Sequence, residues 1–278
     1  MMRYRTMLVH ADLSRHAPER IRFALQMARA HDAHLIAVAA TGVSRAIFPH
    51  DYQADPESLE ASYFDPLRDN AARALDRFDM IAREEGVAHE TRLVWYLASE
   101  ALARIARFAD LVVVSQDDPG EALGAAIERI PEYVALTSAC PVLVLPCIPA
   151  PQPARHVLVA WNGSKESTSA LRSGIALLQR AARVSVVALR AADDNDILDA
   201  HSQTDLAAFL ARHDICADIG VVDRDIDHGH ALLAMAAEQA CDLIVAGCYG
   251  HSRFRELFLG GVTRTLLQEA TIPVLMAR

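Results

Sequence analysis

Apolar residues in this chain fall in short continuous runs, and the runs alternate with stretches of helical spacing. Met7-Leu-Val9, Leu35-Ile-Ala-Val-Ala39, Leu111-Val-Val-Val114, Val142-Leu-Val-Leu145, Val184 to Leu189, Leu243-Ile-Val-Ala246 and Val274-Leu-Met-Ala277 are such runs. Runs of this length, with few polar interruptions, predict strands buried on both faces. Arg20 to Arg29 and Ser169 to Leu178 instead repeat their apolar residues every three or four positions, which predicts amphipathic helices. Strands alternating with helices predict a parallel sheet with helices on both faces.

The same pattern occurs twice. Met7-Leu-Val-His-Ala-Asp12-Leu-Ser14 matches Val157-Leu-Val-Ala-Trp-Asn162-Gly-Ser164 at an offset of 150. Asp110-Leu-Val-Val-Val-Ser115 matches Asp242-Leu-Ile-Val-Ala-Gly247, and Cys140-Pro-Val-Leu-Val-Leu145 matches Ile272-Pro-Val-Leu-Met-Ala277, both at an offset of 132. The first repeat therefore carries 18 more residues than the second, expected around Ile47 to Leu67, where the chain turns polar and gains proline. Pro146 to Pro153 contains four prolines, which suit neither a helix interior nor a central strand, and it reads as an extended linker. Two α/β domains follow, 1–148 and 154–278, each an open five-stranded parallel sheet.

Charge and cysteine usage narrow the partners. A net charge of −9 speaks against nucleic acid or an anionic membrane as a general partner. No apolar run approaches the ~20 residues that span a bilayer. Five cysteines without a Cys-x-x-Cys pair fit a reducing cytoplasm.

The candidate chemistry lies near the C-terminus. The run Leu243 to Ala246 ends in Gly247-Cys-Tyr-Gly250; nine residues later, Gly260-Gly261 precede the helical stretch Val262 to Glu269. A glycine lets backbone N–H groups approach a ligand closely, and a helix start offers free N–H groups at its positive end, which suits phosphate. Each glycine pair alone also suits a tight turn or a helix cap. The ordered set of strand, glycines, spacer, glycines and helix favours a nucleotide site.

With these motifs the chain resembles the universal stress protein family in its tandem two-domain form. The carriers are Gly247-Cys-Tyr-Gly250, the spacer His251 to Leu259, Gly260-Gly261-Val262-Thr263 and Ile272-Pro-Val-Leu275. The resemblance implies two Rossmann-like domains of the adenine nucleotide alpha hydrolase type. It implies that ATP, with or without magnesium, is held by Gly247, Gly250, Gly260, Gly261, Val262 and Thr263 on the phosphate and ribose side. It also places Ala160, Trp161, Asn162, Gly163, Ser164 and Leu189 around the adenine. His251 and Arg253 are further candidates for phosphate contact, Arg for its fork geometry. Two residues depart from the family pattern. Gly261 replaces a serine or threonine, which removes one neutral hydrogen bond, worth about 1 kcal/mol. Asn162 replaces an aspartate but still offers a donor and an acceptor to an adenine edge. The resemblance further implies that the two halves pair through their last strands as a pseudo-dimer within one chain, with a homodimer as a further option.

In the first half, Ser115 and Asp118 stand at the two loop-glycine positions, and Glu128-Arg129 at the Gly260-Gly261 positions. Asp117, Asp118 and Glu121 would repel phosphate. This half reads as a degenerate copy, so one nucleotide per chain is expected. His228 and His230 are two apart, which is not one helical face, so a metal site there is not expected. Asp193 to Asp196 reads as a solvated acidic loop. No catalytic triad, carboxylate pair or nucleophile elbow is visible. The expected function is a cytoplasmic stress-response regulator that binds an adenine nucleotide, with at most slow hydrolysis; the alternatives are a nucleotide hydrolase or transferase, and a scaffold without ligand.

Overall fold

The computed structural model describes residues 1–43, 59–118, 120–121, 129–147, 154–190, 199–223, 227–249 and 261–278. It divides into two compact units, residues 4–140 and residues 141–278 with 1–3.

The N-terminal unit has strands β1 (Thr6–His10), β2 (His34–Ala40), β3 (His89–Val94) and β4 (Leu111–Ser115), paired in parallel in the order β3-β2-β1-β4. Helix α1 (Ala17–His31) packs with α2 (Leu59–Glu85), and α3 (Ala98–Ile105) with α4 (Ile130–Thr137). β4 is buried along almost its whole length, as a strand covered on both faces must be. β3, at the edge, has no fully buried residue: it is half-buried at both ends and exposed at Thr91 and Arg92. Part of the extra length expected in the first repeat lies in α2, which has 27 residues.

The C-terminal unit has β5 (Val142–Leu145), β6 (His156–Trp161), β7 (Arg183–Arg190), β8 (Ala217–Asp223), β9 (Leu243–Gly247) and β10 (Val274–Ala277), in the order β5-β10-β9-β6-β7-β8. Its helices are α5 (Lys165–Leu178), α6 (Ala200–Ala211), α7 (His228–Glu238) and α8 (Val262–Glu269). β6 to β10 pair in parallel; β5 runs antiparallel to β10, with Val144 opposite Val274 and Val142 opposite Met276. Each repeat thus supplies five strands, as its apolar runs predict. The last strand of the first repeat is packed with the second unit.

Two close approaches position the helices of this unit. A Cβ built on Gly247 would lie 2.5 Å from the Glu166 carbonyl carbon and 2.6 Å from the Ser167 nitrogen, so β9 ends directly against the first turn of α5. A Cβ on Gly229 would lie 2.6 Å from the Thr265 Cβ, so α7 presses on α8. Among the described residues no helix is long and apolar enough to cross a membrane.

Candidate functional site

In the C-terminal unit the chain runs from β6 outward to β7 and β8, then returns to β9 on the other side of β6. The connections leaving β6 and β9 therefore diverge, and a crevice opens at the carboxyl ends of these strands. A cleft of about 130 Å³ lies there, lined mainly by apolar side chains with a few polar groups, as small-molecule sites usually are.

The floor begins at the end of β6. Asn162 Oδ1 accepts the Ser164 N–H at 3.2 Å, Gly163 takes a left-handed φ of 70°, and Ser164 Oγ caps α5 by accepting the Ser167 N–H at 3.1 Å. This turn points the strand end into the cleft and starts α5 beside it. It also occupies groups that the sequence assigned to a base: the Asn162 carbonyl and the Ser164 hydroxyl hold the turn, while the Asn162 amide remains as a donor.

The walls are mainly apolar. Val187 and Leu189 come from β7, Leu232 from α7, Ala246 from β9 and Val262 from α8. Trp161 and Ala160 line the cleft from β6, and Trp161 is half-buried there rather than lost in the core. Just past β9, Tyr249 has a φ of 57°, an uncommon conformation for a bulky residue. Its N–H donates to Thr263 Oγ1 at 3.4 Å. Gly261 is the N-cap of α8 and supplies no side-chain hydrogen bond, so the first N–H groups of that helix have no capping side chain. Glu166 is the one fixed charge among the described lining residues; His228 stands at the start of α7.

Of the residues singled out from the sequence, Ala160, Trp161, Asn162, Ser164, Leu189, Gly247, Val262 and Thr263 line this cleft. Gly163 and Gly261 shape its turns without lining it. Gly250, His251, Arg253 and Gly260 lie outside the described residues, as do Arg255 and Asp193 to Asp196. Glu166, Ser167, Val187, Leu232, Ala246 and Tyr249 line it without having been assigned to a ligand, and so does His228, which the sequence raised only as a metal ligand. Val187 was recoverable, because strand alternation puts it on the same face as Leu189. The two histidines near the start of α7 diverge: His228 faces the cleft, whereas His230 is bonded to Asp227 at 3.2 Å and to Glu269 at 3.3 Å.

The matching crevice of the N-terminal unit is filled from within. Arg20, 3% exposed, sends Nε to the His10 carbonyl at 2.8 Å and Nη1 to Ser115 Oγ at 2.9 Å, and Nη2 lies 2.8 Å from Asp12 Oδ1. At the same repeat positions the C-terminal unit has Ala170 for Arg20, Gly247 for Ser115 and Asn162 for Asp12. Burial would raise the Asp12 pKa, but Arg20, His10 and the Ser14 hydrogen bonds outweigh it and hold the carboxyl well below the usual range. Asp118 is held by His16 at 2.6 Å and by Arg15. The His16 bond, with the Gly120 N–H and Arg15, pulls its carboxyl down to about 2. This acidic loop is thus neutralised by its own unit.

Comparison with known proteins agrees with the duplicated fold. The sequence profile of the universal stress protein family matches residues 3–146 and again 153–278. A universal stress protein of Mycobacterium tuberculosis is 27% identical over 194 residues, covering 64% of this chain and 61% of the relative, so the match spans about three fifths of that protein. A crystal structure of a universal stress protein from Archaeoglobus fulgidus superimposes with a TM-score of 0.75 at 14% identity, covering 98% of this chain and 96% of the other. A functionally unknown protein from Pseudomonas aeruginosa gives 0.62 at 17% identity, covering 99% and 92%. At these identities the two structures speak for the fold alone.

Proposed function

The chain belongs to the universal stress protein family, and from that premise we propose that its C-terminal half binds one adenine nucleotide, ATP foremost, and that the protein acts as a cytoplasmic stress-response regulator rather than a fast enzyme. The observation that carries this reading is the contrast between two equivalent crevices. One is open, with an apolar slot at Val187, Leu189 and Leu232 and an uncapped helix start at Val262. The other is filled by the Arg20 guanidinium. The slot suits the flat face of a base, and the helix start suits a phosphate chain, which magnesium could accompany. Among the described residues no cysteine forms a disulfide, in keeping with a reducing compartment.

The chemistry of the lining supports binding without fast turnover. The Ser164 hydroxyl contacts that of Ser167, which in turn donates to the Ser164 carbonyl. Among the described residues no hydrogen bond links either serine to His228, so neither is paired with a base as an activated nucleophile would be.

Calorimetry with ATP and magnesium tests the reading: one nucleotide should bind per chain. A stoichiometry of two would mean that Arg20 does not close the first crevice, and no binding would favour the scaffold alternative. A second outcome concerns the α8 cap. Gly261→Ser should change ATP affinity by less than about threefold, because a serine at the N-cap can turn its hydroxyl either to the helix or to a phosphate, and a cap exchange of this kind is worth only a few tenths of a kcal/mol. A tenfold loss in the same titration would place the phosphates away from α8.

A further inference from the structure

Glu166 has an unusual place in the cleft. It is the second residue of α5, is 4% exposed, and lines the site. A carboxylate has only acceptor positions, and a buried one is stable only when donors meet them. Among the described residues, its one side-chain partner is Lys165 Nζ at 3.5 Å, and that lysine side chain is 84% exposed, so its charge is screened by water. The start of α5 favours an anion, but the Ser167 N–H already bonds to Ser164 Oγ. Its oxygens are not sealed in the core, so Glu166 presents acceptor positions to the cleft that no described side chain but Lys165 approaches.

Its position says which part of a ligand meets it. Its Cβ lies 2.9 Å from where a Cβ on Gly247 would be, so it stands at the end of β9. The apolar slot lies across β6, on β7 and α7. Beyond Gly247, Tyr249 leads to Thr263 and the start of α8. A ligand with its base in the slot and its phosphates at α8 puts the group that joins them beside Glu166. A phosphate in that place would face a carboxylate, with no lysine or arginine among the described lining residues to separate the charges.

We propose that Glu166 is the residue by which the cleft selects a ribose: its carboxylate accepts hydrogen bonds from the sugar hydroxyls. This rests on the adenine-nucleotide reading above. The exocyclic amine of the base is the other donor an adenine nucleotide carries, and the test separates the two.

The experiment is titration calorimetry, with magnesium, of ATP, 2′,3′-dideoxy-ATP and inosine triphosphate, which has an oxo group in place of the amine. The unaltered protein should prefer ATP over dideoxy-ATP by about tenfold or more, the range of hydrogen bonds to a charged group. In Glu166→Leu, which has no acceptor, that preference should fall toward one, with the isosteric Glu166→Gln in between. The comparison across ligand and variant isolates this contact from other losses. If the unaltered protein binds ATP and dideoxy-ATP equally, the inference fails without reference to any variant. If Glu166→Gln tightens ATP, the carboxylate faces phosphates and the inference is overturned. If the substitutions change only the ratio of ATP to inosine triphosphate, the base amine is the donor and the ribose assignment is wrong. In each of these cases nucleotide binding itself stands. If none of the three nucleotides binds, the reading of the site falls, and this inference with it.

Discussion

Gly247→Val is expected to destabilise the C-terminal half by about 3 kcal/mol, before any ligand is added. The added Cβ would fall 2.5 Å from a backbone carbon of Glu166 and 2.6 Å from a backbone nitrogen of Ser167. Neither atom can swing aside as the tip of a side chain can. Relief requires β9 to draw back from α5, and the two are joined along much of their length. Glu166 and Ser167 both line the cleft, so the same shift deforms the site. Chemical denaturation without nucleotide measures the stability term, and ATP titration measures the binding term. The physical cause differs from the one the sequence suggested. There, glycine at this position left room for a phosphate; in the fold, it leaves room for a helix. Loss of ATP binding with an unchanged denaturation midpoint would restore the first explanation.

That difference shows what a sequence pattern can carry. Most strands were legible because a continuous apolar run has few other uses in an α/β chain; β3, which carries Glu90, Thr91 and Arg92, and β8 formed without such a run. The open crevice was legible through its glycines and through Asn162-Gly163-Ser164. What a glycine signals, however, is that a side chain is not tolerated there. The group that excludes it comes from the tertiary fold. Glu166 and His228 were not legible for a related reason: each begins a helix, and only the sheet order brings the starts of α5 and α7 to one crevice. Arg20 is the clearest case. An arginine in an amphipathic helix reads as part of the solvated face, yet this one is 3% exposed, because a vacant crevice with an aspartate stood within its reach.

Asp12→Asn is expected to cost about 3 kcal/mol, because it leaves the buried Arg20 charge without its counter-ion. The substitution keeps the Oδ1 that accepts the Ser14 N–H at 3.0 Å, so the turn survives and only the charge is removed. Asn162→Asp, the reverse change at the matching and exposed position, has Ala170 where the first half has Arg20, and should alter stability by less than about 0.5 kcal/mol. The Asp12 effect carries a pH signature. The carboxyl is held below its unfolded value, so its contribution is complete above about pH 4 and declines as the pH falls through the native-state value. The difference in urea midpoint between the unaltered and Asp12→Asn proteins should therefore shrink as the pH falls below about 4. Equal midpoints at pH 7 would show that Arg20 is satisfied by the His10 carbonyl and Ser115 alone.

The antiparallel pairing of β5 with β10 sets a schedule for biosynthesis. Val142 is opposite Met276, so the ribosome finishes the inner half of this pair long before the outer half exists. At about 5–20 residues per second, β5 is made on the order of ten seconds before its partner. Through that interval its β10-facing edge has no strand to join, and an apolar unpaired edge is a template for joining another chain. The nascent protein is thus exposed to self-association at β5 between the synthesis of the two strands. Only the synthesis of β10 ends that exposure.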